Sequence, residues 1–193
     1  MIIDIRGTHG SGKSWLMHTL LGYGCEEVVG HDPFKKVERT LGYVLPDWDT
    51  FVVGKYSNVC GGCDQIGSAD EVVRRVRHYS QIHRHVLLEG ILVAHTYQRY
   101  ADLAREIESS QMSYVFCFLD TPLSKCIERV KARRSEAGND KPLNPSNITK
   151  DHHNIWDTVR RKCKRDKLWV IEVPHEDPLP TIIGLLNGEV TRA

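Results

Sequence analysis

Apolar and polar positions along the chain follow two rhythms: short, wholly apolar runs, and longer stretches with apolar residues four apart. The apolar runs are 1–6 (MIIDIR), 51–53 (FVV), 85–90 (HVLLEG), 114–120 (YVFCFLD) and 168–173 (LWVIEV). Runs this short and this apolar suit strands buried on both faces, as in parallel sheets. A further short strand is expected at 26–30 (EEVVG). Helical spacing appears at 14–21, where Leu16 and Leu20, and Met17 and Leu21, lie four apart. Ser68 and Glu71 form an S-x-x-E capping box, opening a helix on which Val72, Val76, Tyr79 and His83 share a face. Residues 92–108 read as one helix with Tyr97, Ala101 and Ala104 on a stripe.

Thr121-Pro122 supplies an N-cap and a first-turn proline for a helix running to about 135. A charged helix is expected at 147–165, and Asp177-Pro178 opens a last helix that Gly188 ends. Residues 34–41 read as a helix, and 42–49, 54–67 and 138–146 as loops. Strands alternating with helices predict an α/β fold with a parallel sheet of about five strands. With no internal repeat or linker, the 193 residues form a single domain, enough to bury roughly 70% of the unfolded surface.

Formal net charge is only +1, but 121–167 carries 13 Lys/Arg against 6 Asp/Glu, so the rest of the chain is acidic. Such a block marks where an anion sits: a triphosphate, a phosphorylated substrate or a nucleic-acid backbone. The cysteines at 25, 60, 63, 117, 126 and 163 have no framework spacing. Cys117 and Cys126 fall within predicted elements, as reduced core cysteines do. No run approaches the ~20 apolar residues that span a bilayer, and no leader precedes the first strand. The expectation is a reduced, soluble, cytoplasmic protein without a membrane partner.

Candidate chemistry centres on Gly7-Thr8-His9-Gly10-Ser11-Gly12-Lys13-Ser14, which reads G-x-x-x-x-G-K-S between a predicted strand and a predicted helix. In that setting the glycines turn backbone N–H groups toward phosphate oxygens, and the helix N-terminus adds its positive dipole end. Lys13 then reaches the β- and γ-phosphates and Ser14 ligates Mg²⁺. Glu89, ending the run HVLLEG, is placed to support that metal; the alternative is an exposed strand-end carboxylate. Asp32 follows a predicted strand and suits activation of an acceptor hydroxyl, or capping of the segment that begins at Pro33. Arg129 and Arg133 lie one turn apart and suit clamping of a nucleotide, or a solvated helix face. Cys60-Gly61-Gly62-Cys63 is a lone C-x-x-C without the second ligand pair that zinc needs. Its glycines let backbone approach a ligand, with Asp64 beside it as a second candidate base. His152-His153 reads as a solvated face. The run 160–167 (RRKCKRDK) suits a nucleic-acid backbone or simply a cation-rich helix end.

Together the loop GTHGSGKS, the strand ending in Glu89, the FLDTP turn and the R-x-x-x-R-R helix resemble the nucleotide and nucleoside kinase branch of P-loop proteins. The resemblance implies a P-loop NTPase core ordered 2-3-1-4-5 and a lid at about 133–148. It also implies Arg129 on adenine and Arg133 on phosphate. Asp32 matches the acceptor-activating Asp of polynucleotide-kinase-like enzymes, although Lys35 and Lys36 stand where that family carries an arginine. The segment GKYSNVCGGCDQI is similar to one in phage-encoded kinases of thymidine hypermodification, which phosphorylate 5-hydroxymethyluracil in DNA with ATP. By that likeness Tyr56, Cys60, Gly61, Gly62 and Asp64, with Asp32 and Lys36, face the acceptor base, and 160–167 helps hold the DNA. The rival readings are a kinase of a free nucleoside, nucleotide or metabolite, and an ATPase that acts as a switch.

Overall fold

The computed structural model describes residues 1–32, 36–57, 61–139 and 141–192. Seven strands form one sheet: β1 (Ile2–Arg6), β2 (Glu26–Asp32), β3 (Val37–Leu45), β4 (Thr50–Val53), β5 (His85–Glu89), β6 (Tyr114–Leu119) and β7 (Trp169–Val173). Their order is β2-β3-β4-β5-β1-β6-β7. The expected five-stranded parallel sheet is therefore corrected to a mixed sheet of seven. β4, β5, β1, β6 and β7 are mutually parallel, and counted among themselves run 2-3-1-4-5. β3 is antiparallel to both of its neighbours and joins β2 to the edge as a hairpin.

Where a helix was expected at 34–41, and a loop beyond it, lies β3; Pro33, Phe34 and Lys35 are outside the described residues. Val, Thr and Tyr favour the pleated backbone. Gly42 allows the pairing with β4, because a Cβ there would run into the Val52 carbonyl and the Phe51 ring.

Successive side chains of β1 enter opposite layers, as strand geometry requires. Ile2 packs with Phe51, Val86, Phe116 and the helices α2 (Ala69–Ser80) and α4 (Gln98–Ser109). Ile3 and Ile5 pack with Leu16, Met17 and Leu20 of α1 (Lys13–Leu21) and with Ile182, Leu185 and Leu186 of α8 (Leu179–Asn187). Ser68 caps α2 as expected, accepting the Glu71 N–H at 3.4 Å. The Glu71 carboxylate does not return to the cap; it takes Arg74 and Arg75 instead.

The single helix expected over 92–108 is two, α3 (Ile91–His95) and α4. Buried Arg6 explains the break. Its guanidinium takes Asp4 at 2.7 Å and the Thr96 carbonyl at 3.1 Å, and it lies over the Phe116 ring. Tyr114 donates to the same Asp4 oxygen at 2.9 Å.

Thr121 caps nothing. Pro122 precedes α5 (Leu123–Glu136) with no side-chain cap, and the Thr121 hydroxyl donates instead to the Ser11 carbonyl at 2.8 Å. The charged helix runs as α6 (Ser146–His153), a π-helical stretch Asn154–Val159 and α7 (Arg160–Arg165).

Arg6→Met removes one partner of a fully buried ion pair and leaves the Asp4 charge uncompensated. The expected loss is about 3–5 kcal/mol of unfolding free energy. Urea titration measures it, and the Asp4→Asn/Arg6→Met double variant recovers part of it.

Candidate active site

The first glycine loop follows β1 directly, and its geometry depends on residues without a Cβ. Gly10 and Gly12 have φ of 77° and 102°, a left-handed region that other residues avoid. A Cβ on Gly10 would also strike the Cys126 carbonyl of α5. Gly12 precedes α1, so the loop's N–H groups and the helix N-terminus converge on one point.

Lys13 folds back over the loop, donating to the carbonyls of Gly7 at 2.7 Å and Thr8 at 3.2 Å. Parallel pairing of β1 with β5 sets Ile5 opposite Glu89, which brings the β5 carboxylate beside the loop. Ser14 Oγ donates to Glu89 Oε1 at 3.3 Å. Glu89 is only 2% exposed. Burial pushes its carboxyl up to about 7 against the opposing pull of Lys13. Behind it, Gly62 closes on the carboxylate: a Cβ there would lie 2.6 Å from Glu89 Oε1 and 2.8 Å from the Tyr56 hydroxyl.

Lys13, Ser14 and Glu89 line a cavity of about 230 Å³, with Gly62 and Tyr56 behind its wall. Residues 8–14 and Trp15 form one side, and Gly61, Asp64, Glu89 and Ile91 face them, with Arg129 and Arg133 at the mouth. Asp64 accepts the N–H groups of Ile91 at 2.8 Å and Leu92 at 3.1 Å, so it orients α3 while fronting the cavity. Arg129 donates to the Gly10 and Ser11 carbonyls at 3.4 Å. It separates this cavity from a second of about 290 Å³, bounded by Trp15, Leu119, His175, Glu176 and Pro178. The start of α6 lies over the loop, with the Thr8 hydroxyl 3.5 Å from the Ile148 carbonyl. Asp151 stands between His9 at 3.7 Å and His95 at 3.4 Å. Burial and the Lys13 charge push the His9 imidazole down, which favours its neutral form.

Of the candidates from the sequence, Tyr56 and Gly62 stand behind the cavity wall rather than lining it, and Asp32 and Lys36 lie elsewhere. Asp32 is buried outside the cavity, its carboxylate 3.4 Å from both Arg39 and Arg75. Its guanidinium partners thus come from β3 and α2. Lys36 sits in the β2–β3 turn with φ of 53°, donating its N–H to the Asp32 carbonyl, and does not line the cavity. Cys60 lies outside the described residues. Cys63 is buried, its thiol pushed well up by desolvation. The basic run 160–167 is matched by neighbouring acids: Arg160 and Lys164 pair with Glu172, Arg161 with Asp157, and Arg165 with Asp166. None of it lines the cavity.

The family described as 5-hmdU DNA kinase matches residues 2–174. The chain belongs to that family. A 5-hmdU DNA kinase of Pseudomonas phage PaMx11 is 35% identical over 150 residues, 76% of each chain. That of Delftia phage PhiW-14 is 29% identical over 182 residues, covering 88% of this chain and 66% of its own. That of Pseudomonas phage M6 is 24% identical over 204 residues, covering 96% and 97%. A solved structure of deoxyadenosine kinase from M. mycoides with bound dATP aligns over 98% of both chains at 16% identity, with a TM-score of 0.47. Membership in a kinase family implies use of a nucleotide. Among the described residues no helix is long and apolar enough to cross a membrane.

Sequence reasoning missed Trp15, Ile91, Asp151 and the turn after β7. One signal was available for the last: in parallel sheets ligands bind beyond the carboxyl ends of the strands, and 174–178 follows such an end.

The raised Glu89 pKa has a consequence for stability. The folded protein holds this proton up to about pH 7, whereas an unfolded Glu releases it near 4.3. The native state therefore binds more protons across that window, and stability falls as pH rises through it, by about 4 kcal/mol at most. Glu89→Gln removes the penalty. In thermal unfolding with EDTA, the variant is expected to gain about 7–15 degrees over wild type at pH 8 and little at pH 4.

Proposed function

We propose that this protein transfers the γ-phosphoryl group of ATP to the hydroxymethyl oxygen of 5-hydroxymethyluracil in DNA. The observation that carries the reading is the cavity in which the glycine loop faces Asp64 and Glu89, within a chain that matches the 5-hmdU DNA kinase family over residues 2–174. The reaction belongs in the cytoplasm of an infected host, where phage DNA and ATP meet.

Each group has a task set by its chemistry. The loop N–H groups and Lys13 cradle the phosphates, and Lys13 exchanges its hydrogen bonds to Gly7 and Thr8 for phosphate oxygens. Ser14 and Glu89 offer two oxygens 3.3 Å apart beside a buried carboxylate whose charge a cation would stabilise. That donor set fits Mg²⁺, a hard cation bound through oxygen. Bound there, Mg²⁺ would neutralise negative charge on the nucleotide's phosphates. The second cavity takes adenine between Leu119, Pro178 and the Arg129 guanidinium, while Arg133 closes on phosphate. Residues 133–148 serve as the lid, tied to the loop through Thr8 and the α6 start.

The acceptor oxygen attacks the γ-phosphorus and the bond to the β,γ-bridging oxygen breaks, releasing ADP. The hydroxyl proton passes to a carboxylate. We assign that role to Asp64 rather than Asp32, because Asp64 fronts the cavity while Asp32 is tied to two arginines outside it. Both Asp64 oxygens already accept N–H groups, which fixes their direction and leaves a lone pair on each. A weak base suffices in a loose phosphoryl-transfer transition state.

Two experiments test this reading. With γ-labelled ATP and Mg²⁺, label is expected in duplex DNA carrying 5-hydroxymethyluracil and absent from the thymine duplex and from free nucleosides and nucleotides. Lys13→Ala abolishes it, whereas label in free nucleosides alone would return the protein to salvage chemistry. Asp64→Asn, which keeps an oxygen for the α3 cap, is expected to lower kcat by about 10²–10⁴. Asp32→Asn is expected to cost far less in kcat, and the reverse order would move the base to Asp32.

A further inference from the structure

The transferred phosphate must lie within reach of Lys13 and Ser14, and that point is recessed. Lys13 is 8% exposed, Glu89 2% and Thr8 1%. The loop ends an interior strand, with β5 and β6 on either side. It is walled by α5, where Cys126 meets Gly10, and by Thr121, which donates to Ser11. The start of α6 lies over Thr8, and the Gly61–Asp64 wall stands opposite.

The acceptor oxygen of a paired base is recessed as well. It projects from the pyrimidine C5 at the floor of the major groove, about 8.5 Å below the phosphate ridges of a channel about 12 Å wide. A helix or a two-stranded ribbon can enter that channel. A glycine loop enclosed by two strands and two helices cannot. Two concave surfaces do not bring their floors to the separation of about 3–3.5 Å that reaction requires.

We propose that the enzyme takes the 5-hydroxymethyluracil nucleotide out of the duplex into the cavity, on the side where Gly61, Asp64 and Ile91 face the glycine loop, and that Leu92 fills the space it vacates. The proposal rests on the DNA-kinase reading above. Leu92 is 64% exposed at the start of α3, and its N–H is held by Asp64, the group assigned to receive the acceptor proton. An apolar side chain fixed beside the acceptor is suited to wedge between bases, as Leu, Ile and Phe do in proteins that unstack DNA.

The test uses one duplex sequence with 5-hydroxymethyluracil opposite adenine, opposite guanine, or opposite an abasic site, and 2-aminopurine as its neighbour. Extrusion costs a few kcal/mol, least for an unpaired base. The expected kcat/KM therefore rises about 10- to 100-fold from the adenine pair to the abasic site, with guanine between. Binding with a non-hydrolysable ATP analogue is expected to raise 2-aminopurine fluorescence several-fold. Leu92→Ala is expected to widen the gap between paired and abasic sites. Equal rates on all three duplexes with no fluorescence change would overturn extrusion while leaving the kinase reading intact. An unchanged gap in Leu92→Ala would overturn the wedge alone. No label in any of the duplexes would overturn the DNA-kinase reading and extrusion with it.

Discussion

The parallel register of β1 and β5 is the constraint on which the site depends. Ile5 lies opposite Glu89, so the strand that feeds the glycine loop and the strand that ends in a carboxylate finish side by side. Lys13 and Ser14 come from the turn after one strand, and the acid comes from the end of the other. A slip of one residue would move Glu89 to the opposite face of the sheet. The apolar runs of both strands, buried on both faces, hold the register against that slip.

Burial then sets the chemistry. A carboxylate this enclosed is unfavourable when charged, and the neighbouring lysine offsets only part of that cost. A bound cation would relieve that imbalance. Gly62 completes the enclosure, since only a residue without a Cβ leaves the Glu89 carboxylate and the Tyr56 hydroxyl room behind it. On the other side of β1, Arg6 and Asp4 anchor the same strand to the α3–α4 junction, while Asp64 holds the front of α3. A helix of five residues is thus fixed at both ends, and with it the wall of the cavity.

The β2–β3 hairpin braces the Gly61–Asp64 wall without lining the cavity. β3 begins at Val37, while its pairing with β4 starts only at Gly42, so the hairpin overhangs the sheet by roughly 17 Å. Asp32 closes that overhang. Arg75 links it to Glu71 and to the Leu41 carbonyl, and Arg39 links it to the Gln65 carbonyl, next to Asp64. The network joins β2, β3, α2 and the segment at Gln65 into one unit.

Much of the site was legible in the residues themselves. The glycine loop, Lys13 and Ser14 follow from local rules, because a strand–loop–helix phosphate cradle is contiguous in sequence and its glycines answer to backbone geometry; Glu89 was legible only as an acid ending an apolar run, and the β1–β5 register brings it to the loop. Apolar runs identified the parallel strands for the same reason: burial on both faces leaves a local signature. Tertiary structure decided the rest. β3 reads as a helix or a loop until its pairing with β4 is seen, since strand propensity is largely a property of the neighbours. The break between α3 and α4 carries no glycine or proline; it comes from an arginine some 90 residues earlier in the chain. By sequence Asp32 was the first candidate for the base and Asp64 the second. Only the fold puts one in the cavity and ties the other to arginines, because a side chain's partners are set by which distant strands and helices meet around it.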